Sequence, residues 1–261
     1  MKARKRFGQH FLTDAGVIDA IVDAVNVTTH DSLLEIGPGQ GALTKQLYGL
    51  PRRFVAIEID RDLVPLLNAR FADLEIINAD VLKAPLNALL EQETWRLVGN
   101  LPYNISSPLM VRLAELVRAG QVFADAHFML QKEMAARMVA EPGSKAWGRL
   151  SVILKLTFDI EHLFDVPPES FTPPPKVDSS VIRLVPRADR VDLSEEDWRR
   201  LDEVLRMAFS QRRKRIANAL KSLQLDFDEL EIDPGLRADD LTCEQFIAMA
   251  SRVERRPRQE N

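Results

Sequence analysis

Cysteine is nearly absent from this chain: Cys243 is the only one in 261 residues. No disulfide can close within it, and the expectation is a reduced, cytoplasmic protein. No apolar run approaches the roughly 20 residues that a membrane-crossing helix needs, so no membrane association is expected. The basic opening MKARKRFGQHFL has no apolar core and does not read as a signal peptide. The histidines His10, His30, His127 and His162 are scattered, so no zinc site and no other metal is expected. A Gly-Lys-Ser/Thr phosphate loop is missing as well. Neither sign of charge dominates: 35 Lys and Arg stand against 39 Asp and Glu. Residues 187–261 carry 15 against 17 and the remainder 20 against 22, so each part is −2. A surface that is basic throughout is excluded, and any nucleic-acid binding must rest on local clusters.

What is present is an ordinary globular composition, 46% hydrophobic and 28% charged. Residues 13–26 have helical spacing of apolar positions. Short apolar runs at 32–36, 54–59, 74–78, 97–99 and 127–130 read as strands. Amphipathic stretches at 42–50, 62–72 and 109–119 lie among them. This alternation predicts an α/β fold, a parallel sheet covered on both faces. Runs at 159–165 and 178–185 read as a late hairpin-like pair joined by the proline-rich stretch 167–176. After Pro186 the pattern turns helical, at 192–209, 210–223 and 241–253. The predicted domains are therefore 1–187 and a small all-α domain, 188–261.

The segment SLLEIGPGQGALT (32–44) reads as a strand, a glycine turn and a helix start. Gly37, Gly39 and Gly41 let the backbone turn sharply and come close to a ligand. An acidic residue, Glu58, ends the second strand, where a carboxylate can accept two ribose hydroxyls. These features suit an adenosine-containing cofactor but do not choose between hydride transfer with a nicotinamide and methyl transfer from S-adenosylmethionine. Two acids lean towards S-adenosylmethionine. Glu35, just before the loop, can meet an ammonium or order the loop, and would be unhelpful beside a pyrophosphate. Asp80, after the third strand, is placed to accept from an adenine amino group.

The tetrad Asn100-Leu101-Pro102-Tyr103 ends the fourth strand of this alternation. Its residue types suit one problem. The exocyclic nitrogen of adenine is a poor nucleophile because its lone pair is delocalised into the ring. Two hydrogen-bond acceptors on the amino group, directed for a tetrahedral nitrogen, would localise that pair. The Asn100 side-chain oxygen can be one and the Leu101 carbonyl the other. Pro102 holds Leu101 out of the helical region and contributes no N–H. Tyr103 offers a ring for base stacking. Such bonds strengthen as the nitrogen becomes cationic, so they favour the transition state. No general base is needed, because water can take the proton from the methylated nitrogen. Phe171, ahead of a stiff proline run, is the expected second wall of a clamp on the base.

With these residues in view, the chain resembles the small-subunit ribosomal RNA adenine dimethyltransferases (the RsmA/KsgA family) over nearly its whole length. The matching stretches include 6–12, 35–44, 58–60, 78–80, 100–108, 131–133, 142–145 with 148–151, 171–182 and 209–214. The resemblance implies a Rossmann-like class I methyltransferase sheet with a small helical C-terminal domain. It implies that His10, Leu12, Gly37, Glu58, Asp80 and Asn100 line the S-adenosylmethionine site. It also implies two adjacent adenines in the 3′-terminal helix loop of small-subunit rRNA as targets, each dimethylated, within a pre-30S-like particle late in subunit biogenesis. A monomer is expected.

Three basic clusters are candidates for RNA contact: Lys2, Arg4, Lys5 and Arg6; Lys145 with Arg149; and Arg212, Arg213, Lys214 and Arg215. The third is expected to open a helix capped by Ser210, a setting that suits a phosphate. Arg149, Arg212, Arg213 and Lys214 are the named candidates. A zinc adenine deaminase is excluded, because its Cys-x-x-Cys and His-x-Glu signatures are missing.

Overall fold

The computed structural model describes residues 10–253 except 92 and 122. They divide into two compact units, the described residues up to Val139 with Thr157–Ala188, and Ala140–Leu156 with the described residues from Asp189 on. The division into 1–187 and 188–261 read from the sequence is linear. The compact units are not, because residues 140–156 group with the C-terminal helices.

The first unit begins with β1 (Phe11–Leu12) and α1 (Ala15–Val25). Strands and helices then alternate: β2 (Ser32–Ile36), α2 (Ala42–Leu47), β3 (Arg53–Glu58), α3 (Val64–Arg70), β4 (Glu75–Asn78), α4 (Leu86–Leu90), β5 (Trp95–Asn100), α5 (Tyr103–Arg118), β6 (Asp125–Gln131) and α6 (Lys132–Met138). The late strands are β7 (Phe158–Val166), β8 (Phe171–Thr172) and β9 (Ser179–Pro186). Seven strands form one sheet in the order β4-β3-β2-β5-β6-β9-β7. The first five run parallel, while β9 is antiparallel to both β6 and β7. The late hairpin therefore inserts its second strand against the parallel array. All five residues of β2 are buried, as a central strand covered on both faces requires.

Two local features position the site. Gly99 in β5 lies so close to the end of β2 that a Cβ there would sit 2.5 Å from the Ile36 carbonyl oxygen. Any other residue would push β5 away just before Asn100. The second feature is a separate two-stranded pairing of β1 with β8, Leu12 opposite Phe171. It carries residues near the N-terminus to the C-terminal edge of the sheet. Leu12 and Phe171 are both buried, in one apolar cluster with Val98, Val166 and Val181.

Helix α5 starts at Tyr103, six residues before the stretch expected from periodicity. Pro102 precedes its first turn, and Pro108 sits inside it. Pro102 lies where the N–H has no intrahelical acceptor, whereas Pro108, the sixth residue, forgoes the bond that would reach the Asn104 carbonyl.

The second unit contains α7 (Arg149–Lys155), α8 (Glu195–Ser210), α9 (Ile216–Ala219) and α10 (Cys243–Ser251). Capping boxes open α8 (Ser194 with Asp197) and α10 (Thr242 with Gln245). Trp147 is fully buried and its indole Nε1 donates to the Leu241 carbonyl at 3.1 Å. Phe209 and Phe246 pack with ring centroids 5.5 Å apart. The helix expected over 210–223 is broken: Ser210 ends α8, a turn follows, and α9 runs on into a 3-10 turn at Lys221–Leu223. Ser210 is the last residue of α8, and its hydroxyl donates to the Met207 carbonyl. It therefore caps nothing, and the cluster 212–214 lies in a turn between α8 and α9.

Candidate active-site cleft

The parallel strands end together on one side, and a cleft opens there, lined by residues from the ends of β2, β3, β4 and β5. His10, Leu12, Gly37, Glu58, Asp80, Asn100, Leu101, Pro102, Tyr103 and Phe171 all line it. Every cofactor and catalytic candidate read from the sequence is thus brought into one cavity. This is the topological position where open α/β sheets bind ligands.

Gly37 to Gln40 of the glycine loop line the cleft, while Gly41 faces Phe71 and Leu67 instead. Gly37, Gly39 and Gly41 have φ of +69°, +60° and +82°, the left-handed region that glycine occupies without strain. Glu58 ties the loop to the sheet: its Oε2 accepts from Gly39 N at 3.0 Å and its Oε1 from Asp60 N at 2.7 Å. Burial raises its pKa, against the lowering effect of these two bonds. Each carboxylate oxygen has a second lone pair, so the ties leave acceptor capacity for ribose hydroxyls. Asp80 closes a turn, its Oδ1 accepting from Leu82 N at 3.0 Å. Glu35 is buried in the loop's base, where Thr44 Oγ1 donates to it at 2.7 Å. Burial pushes its carboxyl up to about 7, helped by the charge of Glu58.

The tetrad forms the opposite wall. Asn100 Nδ2 donates to the main-chain carbonyl of His10 at 3.1 Å. A carbonyl can only accept, so this bond sets which way the amide faces and leaves Oδ1 without a partner among the described residues. Leu101 N donates to Met129 O at 2.9 Å, while the Leu101 carbonyl accepts nothing from the described residues. Two unused acceptors therefore sit on adjacent residues. Tyr103 is half-buried, and burial holds its phenol above the ordinary value. The His10 imidazole lies beside the Tyr103 ring, centroids 5.8 Å apart and planes 24° from parallel. His10 Nδ1 is 2.7 Å from the Pro173 carbonyl. Phe171 is only 4% exposed and joins the core beneath the cleft, so its ring reaches the cavity from the core side.

The sequence reading missed two residues. Ile59 is 47% exposed and lines the cleft beside Glu58, unusual for a large apolar side chain. Its signal was an isoleucine between two acids at a strand end, Glu58-Ile59-Asp60. Phe11 also lines the cleft, and a Cβ on Gly39 would stand 3.4 Å from its ring.

The basic candidates fare differently. Lys2, Arg4, Lys5 and Arg6 lie outside the described residues. Arg149 at the start of α7 donates to Asp202 Oδ1 from Nε (2.9 Å) and Nη2 (2.6 Å). Arg212 is built into the fold: Nε donates to Asp239 Oδ1 at 2.6 Å, and Nη2 to the carbonyls of Lys145 and Trp147 at 2.6 and 2.9 Å. Arg213 and Lys214 are exposed and have no ion-pair partner among the described residues. No metal-holding cluster of His, Cys, Asp and Glu occurs among the described residues. No helix there is long and apolar enough to cross a membrane.

Comparison with known proteins agrees with this geometry. The family described as ribosomal RNA adenine dimethylase matches residues 1–255. A protein of Ralstonia nicotianae, ribosomal RNA small subunit methyltransferase A, is 49% identical over 258 residues, covering 96% of this chain and 90% of its own. Its namesake in Pseudomonas fluorescens (strain Pf0-1) is 45% identical over 262 residues, covering 98% and 95%. A dimethyladenosine transferase from Plasmodium falciparum superposes with a TM-score of 0.75 at 28% identity, covering 92% of this chain and 96% of that one. The seven-stranded sheet is the class I methyltransferase fold. By sequence along nearly its full length and by fold, this chain belongs to the ribosomal RNA adenine dimethylase family, whose methyl donor is S-adenosylmethionine.

Proposed function

We propose that this chain methylates N6 of two adjacent adenines in the 3′-terminal helix loop of small-subunit rRNA, adding two methyl groups to each. The substrate is a pre-30S-like particle late in subunit biogenesis, met in the cytoplasm by a monomer of this protein. The observation that carries the reading is the pair of unused acceptors, Asn100 Oδ1 and the Leu101 carbonyl, at the wall of an acid-lined cleft.

The cleft fits the methyl donor. Left-handed Gly37 and Gly39 line it without side chains to crowd a ligand, Glu58 offers ribose acceptors, and Asp80 can accept from the purine amino group. Ile59 and Val81 supply apolar surface for a purine face. Gly37, Leu12 and His10 complete the donor side, with His10 acting through the carbonyl that holds Asn100. When bound, the donor supplies an electrophilic methyl carbon on a sulfonium. The protein prepares the nucleophile. The adenine amino group donates its two hydrogens to Asn100 Oδ1 and Leu101 O, which returns electron density to the nitrogen and draws it towards tetrahedral geometry. Pro102 and the start of α5 fix the Leu101 carbonyl. Tyr103 stacks on the base, and Phe171 is the wall opposite, backed by the core. The proton leaves to water. After one transfer, rotation about the C–N bond presents the remaining hydrogen for the second.

On the RNA side, Arg213 and Lys214 are proposed as direct phosphate contacts, since neither spends its charge internally. Arg149 and Arg212 are proposed to contribute from positions already held by Asp202 and Asp239. The test is incubation with labelled S-adenosylmethionine and undermethylated small subunits, followed by mapping of the modified bases. Label confined to two adjacent adenines near the 3′ end supports the reading; label elsewhere, or none, defeats it.

A further inference from the structure

Strand β4 is an edge of the sheet and pairs on one side only, with β3. Its last main-chain bond to that neighbour runs from Ala79 N to the Glu58 carbonyl at 3.1 Å. Beyond Ala79 the chain leaves the sheet and turns at once, and this turn brings Asp80 and Val81 to the cleft. Within it, the Asp80 carbonyl accepts from Lys83 N and Ala84 N, both at 2.8 Å, and the Asp80 carboxylate accepts from Leu82 N at 3.0 Å. These bonds fold the turn on itself. Val81 and Ala84 are buried, but apolar packing is not directional. No main-chain N–H among the described residues reaches the Val81 carbonyl.

Arg112, in the middle of α5, supplies the directional tie. Its Nη1 donates to the Val81 carbonyl at 2.6 Å and its Nη2 to the Ala84 carbonyl. The planar guanidinium suits two acceptors side by side, which a single ammonium does not span. Leu109, Met110 and Leu113 are fully buried and hold this stretch of the helix against the core. Arg112 does not line the cleft, so whatever it does for a ligand passes through the turn.

We propose that Arg112 is a positioning residue for the purine end of the methyl donor, holding the turn so that the Asp80 carboxylate meets the purine amino group. This deepens the S-adenosylmethionine reading of the cleft and rests on it. Helix α5 then serves both substrates: it opens on Tyr103, the ring assigned to the target base, and its middle fastens the turn assigned to the donor's purine. Without Arg112 the turn keeps its internal bonds but loses its fixed distance from the purine. Glu58 is tied separately, through Gly39 N and Asp60 N, so the ribose end is spared.

The test is titration calorimetry of the full chain with S-adenosylhomocysteine and S-inosylhomocysteine, which carry an amino group and a carbonyl at purine C6. The parent should prefer the amino probe by about tenfold or more, because a carbonyl facing Asp80 has nothing to donate. Arg112→Met keeps an unbranched side chain without donors. It should weaken S-adenosylhomocysteine by about three- to tenfold and leave the inosyl probe nearly unchanged, so the preference shrinks. Arg112→Lys, which can reach one carbonyl, should fall between the two and gives the readout if Arg112→Met does not fold. A folded variant that melts earlier yet keeps the parent's preference overturns the inference and leaves the cleft reading intact. An equal loss for both probes overturns it as well. A parent that binds the two probes alike, or binds neither, overturns the role of Asp80 in the donor site and the inference together.

Discussion

Asn100 Nδ2 donates to the His10 carbonyl at 3.1 Å, so a residue 90 positions earlier in the chain decides which end of the amide is held. The acceptor oxygen is presented without the cost of sorting two amide orientations during the reaction. Asn100→Ala removes both the acceptor and the tie to His10. Methyl transfer is expected to fall by about 10²–10³-fold, the scale of losing one preorganised transition-state bond. Affinity for S-adenosylhomocysteine should change by much less. Single-turnover transfer of labelled methyl groups, with calorimetry for the cofactor, measures both. Transfer at the parent rate would refute the lone-pair argument.

Arg212 and Arg213 are neighbours in different surroundings, the first bonded within the fold and the second exposed. The Arg212 guanidinium joins Asp239 to the carbonyls of Lys145 and Trp147. It is part-exposed, so solvent screening trims its contribution, and Arg212→Ala should cost about 1–2 kcal/mol of stability. Arg213→Ala should leave the melting temperature nearly unchanged. It should weaken RNA binding and reduce the slope of log affinity against log salt by about one. Thermal melts and salt-dependent binding assays on both variants distinguish the roles. A drop in melting temperature for Arg213→Ala equal to that for Arg212→Ala would erase the distinction.

His127 in β6 is 1% exposed, and neither ring nitrogen has a hydrogen-bond partner among the described residues. Burial lowers its pKa from 6.5 to about 4; Asp125 opposes the shift and Arg96 and Arg183 add to it. Between those values the unfolded chain binds a proton that the folded chain refuses. Its contribution to stability is therefore complete above pH 6.5 and is lost as pH falls towards 4. Glu35 works in the opposite sense, because its raised pKa stabilises the fold at lower pH. The prediction therefore concerns a difference between proteins. From pH 7 to pH 5 the parent should lose about 2 kcal/mol more than His127→Leu, as measured by urea unfolding. Parallel losses in the two proteins would mean that His127 does not titrate as its burial demands.

Gly99 separates β5 from the carbonyl end of β2 by the width of a missing side chain. Gly99→Ala places a Cβ 2.5 Å from the Ile36 oxygen, and that oxygen belongs to backbone that cannot swing away. A cost of about 1–3 kcal/mol is expected, with β5 displaced where Asn100 begins. Methyl transfer should fall by more than stability alone explains when both proteins are assayed well below their melting temperatures. Full activity in a folded Gly99→Ala protein would show that the strand separation does not set the tetrad.

Much of this protein is legible without coordinates, where a residue's task is local. The strand–glycine–helix turn follows from left-handed positions that only glycine takes easily. The seven strands of the sheet follow from apolar runs spaced by helices, and the tetrad follows from chemistry that needs an amide, a bare carbonyl and a proline side by side. Apolar spacing marks α5 only from residue 109, because its first six residues, YNISSP, carry one large aliphatic side chain and show no helical period. The turn at 212–214 was read as a capped helix because Ser210 has the chemistry of a cap, although α8 runs through it.

The sequence alone determined that a strand, a left-handed glycine turn and a helix would follow one another, and that the acids Glu58 and Asp80 and the tetrad 100–103 would stand at strand ends. Tertiary structure alone decided which end of the Asn100 amide is held, because that depends on a carbonyl 90 residues away. It also decided that Arg212 spends its charge inside the fold, that Phe171 is mostly core, and that residues 140–156 group with the C-terminal helices. The reason is common to all four: burial, and the pairing of a long side chain, are set by segments distant along the chain, which no local pattern records.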